Sequence, residues 1–144
     1  MGLFRLYLEE LENHIFYHGT PSISLAKTGK FSTPEVYLTK KKNEALGFGL
    51  GGHRLGSSVG KAYILSIDAQ TGKTLDASEI VERIIMEEDE DFESLEDLMA
   101  WAREEGYNYV KFQHPSFFGD DYYEVIVSLH PNKDLTVLNY ETAA

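Results

Sequence analysis

The chain contains no cysteine, and this absence removes several classes of site at once. Disulfide bonds, thiolate metal centres and cysteine nucleophiles are excluded, so any covalent chemistry must use other side chains. Positive charge is also scarce, because 13 lysines and arginines stand against 24 aspartates and glutamates, for a formal net charge of −11. This charge repels a phosphate backbone and argues against ordinary nucleic-acid binding, while leaving a locally positive cleft open.

Long apolar runs are absent as well. No stretch approaches the roughly 20 residues that a membrane span needs, and the first residues, "MGLFRLYLEELEN", carry charge too early for a signal peptide. We therefore expect a soluble, cytoplasmic protein with no membrane partner. Its 144 residues fit one domain, 1–144, in which about two thirds of the unfolded surface can be buried.

Runs of β-branched and aromatic residues bounded by glycine, proline and charge predict strands. These strands are 15–17, 35–39, 61–69, 107–112, 122–129 and 135–140. Helical spacing predicts short helices over 22–27 and 41–48 and two helices within 78–107, with Gly106 as a C-terminal cap. Six glycines between 47 and 60 predict a flexible loop. The order of strands, a helical middle and strands favours an α+β fold with a mostly antiparallel sheet.

Three strand-borne residues carry chemistry in this arrangement: His18 in "FYHGT", Tyr37 in "VYLTKKKNEALGFG" and Glu124 in "YYEVIVSLHP". Together the three stretches resemble the motifs of the ADP-ribosyltransferase superfamily, in its diphtheria-toxin and poly(ADP-ribose) polymerase branch with a His, Tyr, Glu triad. The resemblance covers most of the chain. It implies a split antiparallel sheet with short flanking helices, NAD as co-substrate, no metal, and transfer of ADP-ribose to a protein, nucleic acid or small molecule.

The resemblance also implies roles for single residues around the NAD. The histidine binds a ribose, the adjacent glycine backbone holds the nicotinamide amide, and two aromatic rings sandwich the nicotinamide. By resemblance these roles fall to His18, Gly19, Tyr37 and Phe48, with Thr20 beside them. Stacking suits a cationic pyridinium on an aromatic face. Arg54 is a candidate for the NAD phosphates, although a mobile surface loop is the simpler interpretation of its surroundings.

Glu124 is the predicted catalytic residue. Cleavage of the bond from nicotinamide to ribose builds positive charge on the sugar, which one carboxylate can stabilise. Nicotinamide leaves as a neutral molecule and needs no general acid, and the resemblance adds a hydrogen bond from the ribose 2′-hydroxyl to this glutamate. A simpler alternative stays open. Alternation along 122–129 places Glu124 opposite the more apolar face, where it would be a solvated surface residue.

The segment 113–122 precedes the predicted catalytic strand and matches the position of the family's target-recognition loop. Its adjacent Phe117 and Phe118 are hard to bury together in a turn, so we expect them to read the acceptor. Tyr122 stands where many arginine- or asparagine-modifying members carry Glu or Gln. An arginine acceptor is therefore doubtful.

Several competing interpretations use the same residues. "HGT" and "HPS" satisfy the pattern of a two-histidine phosphoesterase, in which His18 and His114 would act as base and acid, but Pro115 argues against a regular strand there. A zinc site from His14 and His18 fails because residues four apart on a strand are about 13 Å apart. "TGKT", at 71–74, lacks the first glycine of a phosphate loop. A non-enzymatic acidic binding protein remains the third possibility.

Overall fold

The computed structural model describes residues 15–49, 62–115 and 122–142, without the side chains of 47–49 and 115. The strands are β1 Ile15–Thr20, β2 Val36–Thr39, β3 Tyr63–Ala69, β4 Thr74–Asp76, β5 Tyr109–Pro115, β6 Tyr122–Ser128 and β7 Leu135–Thr142. The helices are α1 Ile23–Thr28, α2 Lys42–Gly49, α3 Ser78–Ile85, α4 Leu95–Glu104 and α5 Pro131–Asp134. None of these helices is long and apolar enough to cross a membrane.

The described strands form one sheet in the order β4-β5-β6-β2-β1-β3-β7. Every pairing is antiparallel except that of β4 with β5. The predicted α+β fold with a mostly antiparallel sheet is therefore confirmed. Two elements were not predicted, β4 and α5, because three and four residues are too few to show a periodicity. The prediction of a glycine-rich loop from residue 47 is wrong for 47–49, since α2 includes Gly47 and Gly49, and the rest of that prediction lies outside the described residues.

One face of the sheet is closed by the amphipathic helices α3 and α4. This helix face carries Phe112 of β5 and Val125 and Val127 of β6, all at most 1% exposed. The helices contribute alternating apolar residues to the same cluster: Val81, Ile84, Leu98, Met99 and Ala102. Ser94 begins α4, because its hydroxyl accepts a hydrogen bond from the Asp97 amide.

The opposite face, here called the histidine face, carries His18 and a second apolar cluster. That cluster contains Phe16, Phe31, Val36, Leu38, Leu65, Ile67, Ala69, Tyr109 and Leu135. Ile126 packs against it and Ser128 is fully buried. The alternative of a solvated outer face on the Glu124 side therefore does not hold for Ile126 and Ser128, whereas Glu124 is half-buried and Tyr122 is exposed. Both faces of the sheet are covered, which alternation along one strand does not reveal.

Strands β1 and β2 pair over a short stretch, where Tyr17 lies opposite Thr39. Beyond this pair the chain leaves β1 through α1, which ends at Gly29 with a φ of 68°. It then returns past Phe31, whose backbone N–H and C=O are both held by the Asn132 side chain at 2.8 Å. This path leaves a cavity between the end of β1 and the start of β2.

Candidate functional site

The sheet places the three strands that carry the predicted triad side by side. His18 lies on β1, Tyr37 on β2 and Glu124 on β6, and the sheet order runs β6-β2-β1. Adjacent strands are about 4.8 Å apart, so the strands that carry His18 and Glu124 are about 10 Å apart, with the Tyr37 strand between them. Whether the side chains meet depends on which face each one occupies.

His18 is held in one tautomer by its neighbour strand. Its Nδ1 lies 2.8 Å from the Tyr37 carbonyl oxygen, which can only accept, so Nδ1 carries the proton and donates. Burial lowers the pKa of His18, an effect opposed by this hydrogen bond. The imidazole is therefore neutral at neutral pH, and Nε2 is a hydrogen-bond acceptor. The Phe31 ring, edge-on at 6.2 Å between centroids, fixes the ring from the side.

The His18 cavity has a volume of about 480 Å³, within the usual range for small-molecule sites. Its wall combines backbone at Gly19 with several hydroxyl-bearing residues and one carboxylate. The lining residues are His18, Gly19, Thr20, Pro21, Ser22, Leu25, Phe31, Ser32, Thr33, Glu35 and Tyr37. Thr20 is oriented by the Ser22 amide, which donates to its hydroxyl at 3.1 Å. The predicted trio of His18, Gly19 and Thr20 thus lines one ligand-sized cavity.

The Tyr37 ring points away from the His18 side chain. Tyr37 pairs with Val127 on the helix face and its ring meets Phe112 edge-on at 6.3 Å, so it packs against the helix-face cluster. Burial raises the Tyr37 pKa, with further contributions from the charges of Glu35 and Glu96. At the His18 cavity the carbonyl of Tyr37 holds the imidazole. Stacking of its ring on nicotinamide stays a prediction.

Glu124 occupies the histidine face but a different cavity. It is half-buried and lines a space of about 50 Å³ together with Phe16, Lys40, Tyr109 and Ile126. Ile126 pairs with Leu38, and Glu124 lies two residues before Ile126 in β6, so it is offset from His18 by about 7 Å along the strands as well as by two strand spacings. The structure thus joins His18 to the Tyr37 backbone and leaves Glu124 at an adjacent small cavity.

The sequence pattern had not singled out the residues around Glu124. Lys40 is exposed, with its Nζ 5.8 Å from the centroid of the Phe16 ring, and Tyr109 donates from its hydroxyl to the Gln70 carbonyl. Thr71 and Thr74 of the rejected "TGKT" motif also line this cavity. The glycine of that motif has a packing role, because a Cβ at Gly72 would lie 2.5 Å from Cβ of Asn108.

Several predicted residues fall outside the described part of the chain. Arg54, Phe117 and Phe118 are in the segments not described, and Phe48 belongs to α2 without a described side chain. Tyr122 begins β6 and is 65% exposed. An exposed aromatic residue at the start of the Glu124 strand is compatible with its predicted role in acceptor recognition, which stays a prediction.

The two-histidine phosphoesterase meets a geometric obstacle. His114 pairs with Tyr123 in regular β5, and Pro115 closes that strand opposite Tyr122, so the sequence argument that proline prevents a strand there is wrong. The obstacle is the position of the two rings. His114 lies on the Tyr123 side of the sheet, the helix face, three strands from His18 on the histidine face. The two imidazoles cannot flank one phosphate.

One ion pair close to the His18 cavity was not predicted. Glu35 lines both this cavity and the one beside α4, and Arg103 of α4 places Nη2 3.5 Å from Glu35 Oε1. The guanidinium is itself anchored, since Nε donates to the Leu129 carbonyl at 3.1 Å and Nη2 to the Pro34 carbonyl at 3.2 Å. Glu35 and Arg103 are 68 residues apart in the chain, so no local sequence pattern predicts that they pair. Within the described ranges, no three His, Asp or Glu side chains group as a metal site.

We compared the chain with protein-family models, with curated proteins and with solved structures, and none of them matches it. The function of this protein must therefore be inferred from the site itself.

Proposed function

We propose that this protein is an NAD-dependent ADP-ribosyltransferase of the cytoplasm, which cleaves the bond between nicotinamide and ribose and transfers ADP-ribose to an acceptor. The observation that carries the proposal is the state of His18. A neutral imidazole with Nδ1 bound to the Tyr37 carbonyl presents Nε2 as an acceptor beside Gly19, in a cavity of about 480 Å³. A ribose hydroxyl is a donor that this acceptor suits.

The surroundings of His18 support a nucleotide as ligand. Gly19 presents backbone without a side chain, which lets a planar carboxamide approach closely. Thr20, Ser22, Ser32 and Thr33 add hydroxyl groups around the cavity. Because these groups are neutral and the chain is acidic overall, they favour the sugar and amide portions of a dinucleotide over a bare phosphate.

In the proposed reaction the glycosidic bond breaks and its electron pair passes to the nicotinamide nitrogen, which becomes neutral. The acceptor nucleophile forms the new bond at the same ribose carbon and loses its proton; water in that role gives hydrolysis. Glu124 would stabilise the positive charge that develops on the sugar. This role requires NAD to reach from the His18 cavity to Glu124, which lines the adjacent cavity on the same face of the sheet.

The proposal is tested by release of nicotinamide from NAD and by a mass-spectrometric search for ADP-ribose adducts in lysate. Glu124→Gln should lower turnover by about two to three orders of magnitude and change NAD affinity by no more than about threefold, because it removes one preorganised charge. Glu82→Gln is the matched control, since Glu82 is an exposed residue of α3 on the other face of the sheet.

Near-normal nicotinamide release from Glu124→Gln would remove the catalytic role of this residue. No release and no adduct from the wild-type protein would contradict the enzyme proposal altogether. In that case the non-enzymatic acidic binding protein becomes the better interpretation, with the His18 cavity as its ligand site.

A further inference from the structure

We infer that Lys40 binds the diphosphate of NAD beside Glu124. The inference rests on the proposed function and concerns a residue that the sequence motifs did not single out. Lys40 directly follows the end of β2, and it lines the same cavity as Glu124. The wall of this cavity therefore contains a carboxylate and an ammonium group.

The strand register explains why these two residues meet. Thr39, the last residue of β2, lies opposite Val125 of β6. Because the two strands are antiparallel, the residue that follows β2, Lys40, comes opposite Glu124. The Lys40 Nζ lies 5.8 Å from the centroid of the Phe16 ring, which belongs to the apolar cluster of the histidine face. The ammonium group is thus on the same face of the sheet as Glu124.

The two charged groups can both meet a ligand. Lys40 is exposed and Glu124 is half-buried. None of the ion pairs in the described part of the chain includes either side chain. The cavity that they share has a volume of about 50 Å³, which is too small to enclose a diphosphate. A diphosphate near Glu124 must therefore lie outside this cavity, at the exposed ammonium group.

The proposed reaction brings negative charge to this place. Glu124 acts at C1′ of the nicotinamide ribose, and the diphosphate is attached to C5′ of the same sugar. Phosphate groups this close to the Glu124 carboxylate are repelled by it. An ammonium group beside the carboxylate offsets the repulsion and donates charge-assisted hydrogen bonds to phosphate oxygens.

The His18 cavity offers no comparable group. Its described lining contains no lysine or arginine and includes the Glu35 carboxylate, whereas Lys40 is the one cation in the described lining of the Glu124 cavity. Strand β2 lies between β1, which carries His18, and β6, which carries Glu124. In NAD the diphosphate joins the two riboses, so a molecule that spans the two cavities carries this group across β2. Lys40 lies at the end of that strand.

The test is calorimetric titration of NAD into the wild type, Lys40→Gln, Lys40→Arg and Lys41→Gln, with nicotinamide release measured for each protein. We expect Lys40→Gln to weaken NAD binding by about five- to tenfold, because a charge-assisted hydrogen bond at an exposed site is lost. Its kcat should fall by no more than about threefold, so that the loss is in KM. Lys40→Arg should retain most of the affinity, because the positive charge remains. Lys41→Gln is the matched control, since Lys41 is an exposed neighbour that does not line the Glu124 cavity.

The dependence of NAD affinity on salt provides a second measurement. Added salt should weaken NAD binding to the wild type, and it should weaken binding to Lys40→Gln less, because the screened charge is missing. Equal salt dependence of the two proteins would contradict the inference.

Three further outcomes would overturn this inference alone. They are unchanged NAD affinity in Lys40→Gln, an equal loss in Lys41→Gln or Lys40→Arg, and a loss in Lys40→Gln that is confined to kcat. The last result would mean that Lys40 acts on Glu124 and not on the diphosphate. If the wild type neither binds NAD nor releases nicotinamide from it, the proposed function fails and the inference falls with it.

Discussion

The two faces of the sheet differ in how they are closed. On the helix face, α3 and α4 cover β5 and β6 with a dense apolar cluster, and Phe112, Val125 and Val127 are at most 1% exposed. On the histidine face, six-residue α1 and the segment through Phe31 leave cavities beside His18 and Glu124. The apolar cluster under the helices and the two cavities are thus on opposite sides of one sheet.

This separation explains why the predicted triad divides. Successive side chains of a strand point to opposite faces, so a residue's face depends on its position in the strand register. Tyr37 pairs with Val127 and therefore shares the helix face, whereas Glu124 lies one position from Val125 and shares the histidine face. By the same criterion His18 lies on the histidine face, as Glu124 does. Variants on each face should consequently have different effects.

The largest expected effect is on the stability of the helix face. Phe112→Ala should lower the free energy of unfolding by about 3 to 5 kcal/mol, because it leaves a cavity that the surrounding side chains cannot fill. Phe31→Ala, on the histidine face, should cost less, since Phe31 borders the His18 cavity and the space merges with it. Denaturant unfolding of both variants measures the difference. Equal losses would mean that the histidine face is packed as tightly as the helix face.

Variants of Tyr37 test both faces of the sheet at one residue. Its ring packs on the helix face, and its carbonyl binds His18 on the histidine face. We expect Tyr37→Ala to lower the unfolding free energy by about 2 to 4 kcal/mol, because its ring packs against the helix-face cluster. Tyr37→Phe retains the ring and should lose less stability and less NAD affinity than Tyr37→Ala. Denaturant melts and NAD titrations separate the two contributions. A stable Tyr37→Ala variant with lost NAD affinity would show that the ring turns into the His18 cavity, as the predicted stacking requires.

The smallest expected effect is the pH dependence that His18 contributes. Its pKa is lowered in the folded protein by burial, so below its ordinary value of about 6.5 the unfolded state binds more protons. This contribution is complete above about pH 6.5 and is lost as the pH falls toward the lower pKa of the folded state. NAD affinity should weaken over the same range, because a protonated Nε2 no longer accepts a hydrogen bond.

The measurement is chemical unfolding of the wild type and of His18→Ala between about pH 5 and 8. The stability of the variant should be less sensitive to pH than that of the wild type, because one titrating group has been removed. It should still depend on pH, since four histidines remain. It should also bind NAD more weakly at every pH in this range. Identical pH profiles for the two proteins would show that His18 is not held in the neutral form.

Much of the secondary structure could be predicted from local signals. The run 122–129 was recognised as a strand from its β-branched and aromatic residues, and the structure has β6 at Tyr122–Ser128. The apolar spacing in α4 and the glycine after it located that helix, and Gly106 indeed adopts a φ of 87°. Strand β4 was not predicted, because its three residues depend on parallel pairing with β5, which lies 35 residues later in the chain.

By itself the sequence determined the fold class, since the order of periodic segments and turns already implies an antiparallel sheet with short helices. It also singled out His18 as a candidate from the local pattern of a histidine before glycine, although the predicted strand 15–17 is too short, because β1 continues through Gly19 to Thr20. Only the tertiary structure decided the faces of Tyr37 and Glu124 and the pairing of Glu35 with Arg103. These features depend on strand register and on contacts between residues far apart in the chain. Such contacts form when the elements pack together, so no short stretch of sequence predicts them.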